Sequence, residues 1–594
     1  MSGATGTGAA FSWGNLGKAQ QDALNINPGT SSSDGLGQQR VEYLRGDRSN
    51  EADSQGNGGL FRARKTVFGD IINSGPTFVG LPSTTRSGAG YAAFATNYAT
   101  RTPMVYVGAN DGMLHGFNAN TGDEVFAYVP AAVVSKLNQL TGATYSHRAY
   151  VDATPVTSEV QIGSNWKTVL VGGMGGGAQG VYALDVTDPT GSRGSVFGAS
   201  NVMWEFTDKD DADMGNVMGR PVIAKMLVGK DTNNVPVYKW FAIVGNGLNS
   251  NQADGYANDR APGALFLLSL DKSSSEAWSL NNNYWKIVTP SPSATPPYVT
   301  ANGLSTPAVT TSTSGIGLAI YAGDLQGNLW KFNVSGLPST WNASSDGALP
   351  PYGGTPGKPL FVATDRNGNR QPITMQPEVV YAPGGFMVLF GTGKYYELAD
   401  TSTTPTQTNS FYGIYDGGGT DYVSGGRSQL SQLSSAYTSG GQSISITGTA
   451  AYPGYTGGRK PGWVLDFLDS TERQVTSAAV ASGMIFFNSI YTATGTCGTA
   501  GGSRSYALNP LTGLPTNGIS GMLSSVGLLG APSIIVINVS KTDRTGAGGG
   551  VQSTTTQVLG FGSAGTLTTT STNATDKRVM RKGWKEIRNF TITN

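Results

Sequence analysis

Apolar and polar positions alternate in short runs along most of the chain, and these runs recur from about residue 61 onward. Alternation with period two predicts β-strands, and a proline is tolerated where a strand begins because it costs no ladder hydrogen bond there. Seven runs follow a proline or an alanine in this way, and the residues before them are Pro76, Pro155, Pro221, Pro307, Pro377, Ala478 and Pro532. The pattern therefore predicts seven equivalent strands, one in each of seven repeats.

A second motif follows within most repeats: an apolar strand, a turn that contains glycine, and another strand, as in Val105–Leu114 and Tyr321–Trp330. The turn Asn110–Gly112 is a hairpin signal, because asparagine and glycine tolerate positive φ angles. Repeats of four strands that need neighbours to bury their faces are typical of a β-propeller. We predict an all-β fold, a β-propeller with seven modified blades. An array of β-sandwiches is the alternative, and the regular hairpins argue against it.

Each repeat is longer than the roughly 40–45 residues of a simple blade, so we expect long loop insertions. The candidate insertions are residues 249–262, 272–299, 337–370 and 400–458. Residues 1–60 are rich in Gly, Ser, Asn and Gln and lack periodicity. We predict an irregular leading segment over 1–60, with a helical turn near Leu16–Leu24, followed by the propeller domain over 61–594.

Composition narrows the function classes. The chain has 39 Lys+Arg and 38 Asp+Glu, so no overall field would attract nucleic acid or an anionic membrane. Its 10 Trp, 25 Tyr and 21 Phe can fill a core, whereas disordered chains are poor in such residues.

Cys497 is the single cysteine and cannot form an internal disulfide. No apolar stretch is as long as a membrane span, and Met1–Ala4 does not begin a signal peptide. The sequence therefore predicts a cytosolic protein, a processed product or a fragment.

Several segments carry a family resemblance in a specific order: Val41–Arg48, Phe61–Arg64, Phe68–Ser74, Val105–Pro130, His147–Pro155, Trp204–Asp208, Ala322–Phe332 and Gly583–Ile587. Over about residues 40–590 the sequence resembles the C-terminal propeller domain of the PilC/PilY family of type IV pilus biogenesis and tip-adhesin proteins. Family members are longer and have a signal peptide and a variable N-terminal region. The resemblance therefore favours a fragment of a protein exported through the periplasm.

The resemblance implies a binding function and no enzymatic one. It implies support of pilus extension against retraction, twitching motility, and adhesion to surfaces or host cells. The partners it implies are pilus tip or minor pilin proteins and a surface or host-cell receptor, with no nucleic acid. The location it implies is extracellular or on the outer cell surface, associated with the pilus.

Two segments are candidates for metal binding. A calcium loop needs oxygen ligands at alternate positions of a tight turn, and some relatives carry one where this chain has Thr310–Leu318. Thr310, Ser314 and Leu318 stand where acids are expected, so we predict no cofactor and no Ca²⁺ binding at this degenerate loop. The acidic run Asp208–Asp213 is either a divalent-ion site or a solvated loop in which Asp213 caps the turn at Gly215.

Other residues have both a functional and a structural interpretation. Arg45, Gly46 and Asp47 match an integrin-type adhesion tripeptide, although such tripeptides also arise by chance, and Arg45 in a strand-like run would instead pair with an acid. His115 and His147 lack the partners of a catalytic triad or a zinc site, so we predict structural roles and no catalytic residues. The glycine-rich segment 172–177 lies between two strands, which argues against phosphate binding at a helix.

Two further function classes stay open. The turn Asn118–Gly122 also occurs in quinoprotein dehydrogenases, which resemble one another in an adjacent cysteine pair that a chain with only Cys497 cannot form. A carbohydrate-binding lectin propeller would expose tryptophans at the blade tops, with Trp278 and Trp285 as candidates.

The C-terminal segment is predicted to close the ring. We expect Trp584 and Ile587 to pack near Phe68–Phe78, because a ring of blades has two raw edges until its ends meet. The alternative is a disordered basic tail.

Overall fold

The computed structural model describes residues 7–194, 196–290, 301–341, 358–402, 404–405, 407–418, 422–439, 441, 443–492, 501–516, 521–542, 550–563, 567–571 and 575–579. The chain divides into two compact units, Met1–Leu360 and Phe361–Asn594. Cys497, Trp584 and Ile587 lie outside the described residues, so the closing role of the C-terminal segment stays a prediction, as does the division of the chain at residue 60.

The leading segment is helical in two places. Helix α1 spans Lys18–Leu24, which confirms the predicted helical turn, and helix α2 spans Gly37–Leu44. The strand-like interpretation around Tyr43–Arg45 is wrong. Val41 and Leu44 are three residues apart on one helical face and are buried in the core, which period three to four explains and period two does not.

Two further helices and six 3₁₀ segments complete the described helical structure. Helix α3 is Tyr91–Asn97 and helix α4 is Pro338–Trp341. The 3₁₀ segments are Trp13–Asn15, Ala131–Thr141, Gly175–Gly177, Ala199–Asn201, Leu398–Thr401 and Gly426–Gln429. In the part of the chain that the structure describes, none of the helices has the length and hydropathy to cross a membrane.

The first unit is built from antiparallel sheets whose strands pair in chain order. Its strands are β1 (Thr77–Val79), β2 (Met104–Gly108), β3 (Leu114–Asn118), β4 (Glu124–Tyr128), β5 (Val156–Ile162), β6 (Asn165–Gly173), β7 (Gly180–Asp185), β8 (Val202–Thr207), β9 (Val222–Lys230), β10 (Pro236–Gly245), β11 (Ala264–Ser269), β12 (Tyr284–Val288), β13 (Ala308–Thr311), β14 (Gly317–Gly323) and β15 (Asn328–Asn333). Strands β1–β4, β5–β8 and β9–β12 form three four-stranded sheets, and β13–β15 pair in the same manner. Each sheet is thus a meander of consecutive hairpins.

Neighbouring sheets bury their faces against each other. One core cluster joins Val169 and Trp204 of the second sheet to Phe266 of the third, and another joins Phe241 of the third to Trp330 of the fourth. A sheet enclosed on both faces cannot show a simple alternation of buried and exposed residues. This explains why Tyr284 and Trp285, adjacent on β12, are both buried.

A glycine ends the second strand of each of the first three sheets and allows this close packing. Gly108, Gly173 and Gly245 end β2, β6 and β10. A Cβ atom at Gly108 would lie 2.3 Å from the carbonyl oxygen of Val151, and one at Gly245 would lie 2.2 Å from that of Ser305. Because no side chain fits there, glycine at this position recurs from sheet to sheet.

The second unit contains strands β16 (Phe361–Val362), β17 (Glu378–Ala382), β18 (Gly385–Gly391), β19 (Ser410–Asp416), β20 (Ser431–Tyr437), β21 (Ser443–Thr447), β22 (Gly462–Asp466), β23 (Ala479–Ala481), β24 (Met484–Tyr491), β25 (Gly502–Leu508), β26 (Gly521–Leu523), β27 (Ser533–Thr542), β28 (Gly550–Phe561), β29 (Leu567–Ser571) and β30 (Thr575–Val579). Ten of them form one sheet in the order β17-β18-β19-β22-β20-β21-β26-β25-β24-β23. The hairpin β20–β21 comes from the predicted insertion 400–458 and joins two four-stranded meanders.

The seven predicted strands are confirmed as strands β1, β5, β9, β13, β17, β23 and β27, each of which begins directly after its proline or alanine. Each lies at one end of its sheet order, which confirms that Pro155 and Pro307 occupy equivalent positions. The number of seven blades stays a prediction.

Candidate functional site: a polar cavity in the first unit

A cavity of about 1050 Å³ opens in the first unit beside the end of β8. It is lined by Gly17–Gln20 and Ala23 of the leading segment and by Ala131, Ala132, Ser135 and Lys136. Two of the four predicted insertions also line it, through Gln252, Asp254 and Tyr256 of one and Lys272 and Ser274–Trp278 of the other. Segments that depart from the simple blade repeat therefore line much of the cavity, together with residues at the end of β8.

Aromatic rings form part of its wall. Trp278 is half-buried, and its indole nitrogen donates to the Glu205 carbonyl oxygen at 2.7 Å. Its ring meets Trp204 edge-on, with the ring centres 5.2 Å apart. Tyr256 stands on the other insertion and is 44% exposed, with the Lys209 ammonium 5.6 Å from its ring centre. The wall therefore offers one fixed and one accessible aromatic side chain.

Charges of both signs surround these rings. The lysines are Lys18, Lys136, Lys209 and Lys272, and the carboxylates are Glu205, Asp208, Asp210, Asp254 and Glu276. Burial, and then the nearby Asp254 carboxylate, raise the pKa of Asp208. Burial lowers the pKa of Lys272. The cavity wall thus carries charges of both signs that nearly balance.

Glu205 lines the cavity and accepts two hydrogen bonds through its carboxylate. Its Oε1 accepts hydrogen bonds from the Tyr128 hydroxyl at 2.6 Å and from the Ala131 amide at 2.8 Å. Burial and the Glu205 carboxylate raise the pKa of Tyr128 well above its ordinary value. This network joins β8, which carries Glu205, to β4 and to Ala131, which also lines the cavity.

Two aspartates of the acidic run 208–213 pair with one lysine. The Lys286 ammonium of β12 lies 2.8 Å from Asp211 Oδ1 and 2.6 Å from Asp213 Oδ2. Asp211 also accepts from the Tyr284 hydroxyl. Across the described residues, no group of three or more His, Cys, Asp or Glu side chains is arranged to hold a metal ion.

The predicted cap by Asp213 is wrong. The Gly215 amide donates to the Asn246 carbonyl oxygen, because an adjacent strand end supplies the acceptor. Asp213 is also buried and not solvated, with its carboxylate held by Lys286 and Asn258.

The loop Thr310–Leu318 forms a tight hairpin between β13 and β14. The Thr310 hydroxyl both donates to the carbonyl and accepts from the amide of Ala319. The Ser312 hydroxyl oxygen accepts from the amides of Ser314 and Ile316. These oxygens serve the backbone of the hairpin, and the absence of calcium binding here stays a prediction.

Arg45, Gly46 and Asp47 lie directly after helix α2 and are not part of a strand. Arg45 and Asp47 are exposed, and Gly46 has a φ of 107°, which suits the turn that ends the helix. Arg45 donates to the Phe11 carbonyl oxygen at 3.1 Å, whereas we expected it to pair with an acid. The role of the tripeptide in adhesion stays a prediction.

The two histidines are held by carboxylates. His115 Nδ1 lies 2.5 Å from Glu124 Oε1, and its Nε2 lies 3.1 Å from both oxygens of Asp111. Burial opposes the charged ring, but hydrogen bonds to Asp111 and Glu124 outweigh it and raise the pKa of His115 to about 9. His147 Nε2 lies 2.7 Å from Asp70 Oδ2 at the surface.

The glycine-rich segment 172–177 packs against backbone. A Cβ at Gly177 would lie 1.8 Å from the Tyr150 carbonyl oxygen, so the segment fills a place where no side chain fits.

Of the two tryptophans proposed for a lectin, Trp285 is buried and cannot serve as an exposed platform, because both faces of its sheet are covered. Trp278 lines the cavity, and the sequence signal for that cavity was the pair of insertions carrying Tyr256 and Trp278.

Comparison with known proteins matches residues 68–434 to the PilY1 β-propeller domain. The chain belongs to this family. The type IV pilus biogenesis factor PilY1 of Pseudomonas aeruginosa (strain PAK) is 33% identical over 596 residues, which covers 92% of this chain and 47% of that protein. A PilY1 homolog of Xylella fastidiosa (strain Temecula1 / ATCC 700964) is 35% identical over 504 residues, covering 80% of this chain and 31% of that protein.

The crystal structure of the Pseudomonas aeruginosa PilY1 C-terminal domain is similar to this chain with a TM-score of 0.56 and 25% identity. The match covers 81% of this chain and 95% of that domain. Together with the sheets, these matches confirm the predicted all-β propeller fold and the family resemblance. The chain spans about half the length of the Pseudomonas relative, at 47%.

Proposed function

We propose that this chain is the propeller domain of a type IV pilus biogenesis factor and acts by binding, without catalysis. The observation that carries this proposal is the 33% identity to a protein named a type IV pilus biogenesis factor, which extends over 92% of the chain.

In this proposal the chain supports pilus extension against retraction. It is exported through the periplasm and resides at the outer cell surface or outside the cell, at or near the pilus tip. Its partners there are tip or minor pilin proteins. A net charge near zero suits such protein contacts, because it attracts neither nucleic acid nor anionic lipid over long distances.

The test is genetic. Deleting the coding segment for this chain in its source bacterium should remove surface pili and twitching, and blocking pilus retraction as well should restore pili. The restored pili would separate a role against retraction from a role in making the fibre. Normal piliation and twitching in the single deletion would contradict the proposal.

Attachment to host cells is the second part of the proposal, and the exposed Arg45 and Asp47 support it. Asp47→Glu should reduce attachment to integrin-bearing cells while leaving piliation unchanged, because integrin-type recognition depends on the reach of this carboxylate. Asp53→Glu is the matched control, since Asp53 is also exposed and both carboxylates accept a hydrogen bond from the amide two residues on. Equal attachment by the two variants would remove the tripeptide from the proposal.

The quinoprotein alternative has a simple discriminator. An absorbance scan of the purified chain should show no band beyond those of its aromatic residues. A bound quinone chromophore would overturn the non-enzymatic assignment.

A further inference from the structure

The cavity in the first unit combines aromatic surface with polar groups that both donate and accept hydrogen bonds. Its volume of about 1050 Å³ lies just above the roughly 300–1,000 Å³ of small-molecule sites, so it can hold more than one small ring. We propose that this cavity binds a neutral oligosaccharide. The proposal deepens the attachment role and rests on it.

The aromatic residues supply the first argument. A sugar ring has an apolar C–H face, which packs on aromatic surface, and a rim of hydroxyls, which needs hydrogen-bond partners. Trp278 is fixed by its bond to the Glu205 carbonyl oxygen and by its contact with Trp204. Tyr256 is accessible on a separate loop. A rigid ring and an exposed ring on different loops suit a chain of sugars.

The charge pattern supplies the second argument. Four lysines and five carboxylates share the wall, so neither a strongly anionic nor a strongly cationic ligand is matched. Hydroxyl groups donate to carboxylates and accept from ammonium and amide groups, and every part of such a wall can therefore contact a polyol. An apolar ligand would leave these charges desolvated and unpaired, at a high free-energy cost.

Lys272 supplies the third argument. It is only 7% exposed, its ammonium donates to the Ser273 carbonyl oxygen at 2.9 Å, and the ammonium lies 4.7 Å from the centre of the Trp278 ring. Within the described residues, no carboxylate forms an ion pair with it. A nearly buried ammonium with remaining donors needs acceptors, and sugar hydroxyl oxygens supply them without added charge.

Isothermal titration calorimetry on the full chain tests the proposal. The neutral probes are maltotriose, cellotriose, chitotriose and lacto-N-tetraose; the anionic probes are 3′-sialyllactose and a heparin hexasaccharide; a Gly/Ser hexapeptide represents a peptide ligand. We expect at least one neutral probe to bind with a Kd below about 1 mM. Tyr256→Ala should weaken that binding about tenfold, the equivalent of one lost ring contact, and Asp208→Asn should weaken it severalfold.

Tyr238→Ala is the matched control. Tyr238 is 40% exposed and has a lysine ammonium 5.6 Å from its ring centre, as Tyr256 has, but it lies outside the cavity. The Tyr238→Ala variant should leave the Kd of the neutral probe unchanged. The proposal is overturned if no neutral probe binds, if only the anionic probes or the peptide bind, or if neutral binding survives both Tyr256→Ala and Asp208→Asn. Piliation is not measured here, so failure of this test leaves the pilus role standing.

Discussion

Replacing Lys286 by methionine should show how much the lysine stabilises the acidic run 208–213 beside the cavity. The substitution keeps most of the side-chain length and removes the ammonium that lies 2.8 Å from Asp211 and 2.6 Å from Asp213. Both carboxylates are 8% exposed and would be left facing each other without a counter-charge. Removing one partner of a buried pair costs about 3–5 kcal/mol.

The remaining contacts place the expected loss near the lower limit of that range. Asp211 keeps the Tyr284 hydroxyl and Asp213 keeps the Asn258 amide, so we expect a loss of about 3 kcal/mol in the free energy of unfolding of the first unit. With an unfolding entropy of about 2.1 cal/mol/K per residue, a unit that spans Met1–Leu360 should melt about 4 °C lower.

The assay is a urea titration followed by hydrogen-exchange mass spectrometry of peptides from β10–β12, which reports on the first unit alone. Lys239→Met is the control, because Lys239 and Asp271 form a 3.0 Å pair with side chains 38% and 30% exposed, and such pairs contribute under about 1 kcal/mol. A loss no larger than the control's would refute the reasoning.

Three other predictions concern separate parts of the chain. Because the pKa of His115 rises from 6.5 to about 9, its stabilisation should be full below about pH 6.5 and vanish as pH rises through 9, and His115→Gln should flatten that fall in urea midpoints. Gly177→Ala should destabilise the first unit by several degrees in a melting scan, whereas Gly194→Ala, with open space around it, should match the parent; equal midpoints would contradict the close packing. Deleting residues 578–594 should lower the melting temperature by several degrees and promote aggregation, and an unchanged curve would make the segment a linker.

Local sequence pattern was sufficient to predict the strands and their repeat. A strand can be recognised from alternating apolar and polar residues, a preceding proline and the turn residues that follow. All of these signals lie within about ten residues of one another. The seven strands that follow Pro76 to Pro532 and the helix at Lys18–Leu24 were therefore predictable. Helix α2 was missed because a family segment was read as extended, although Val41 and Leu44 share a helical face.

Only the tertiary structure decided which side chains meet. Lys286 lies more than 70 positions from the aspartates it neutralises, and nothing in either segment specifies the other until the second and third sheets pack together. The same packing buries Trp285 by covering both faces of its sheet, and it brings two insertions and a leading helix around one cavity. Hairpins form between neighbours in the chain, so sequence predicts them; contacts between sheets depend on how whole faces fit, which no single segment encodes.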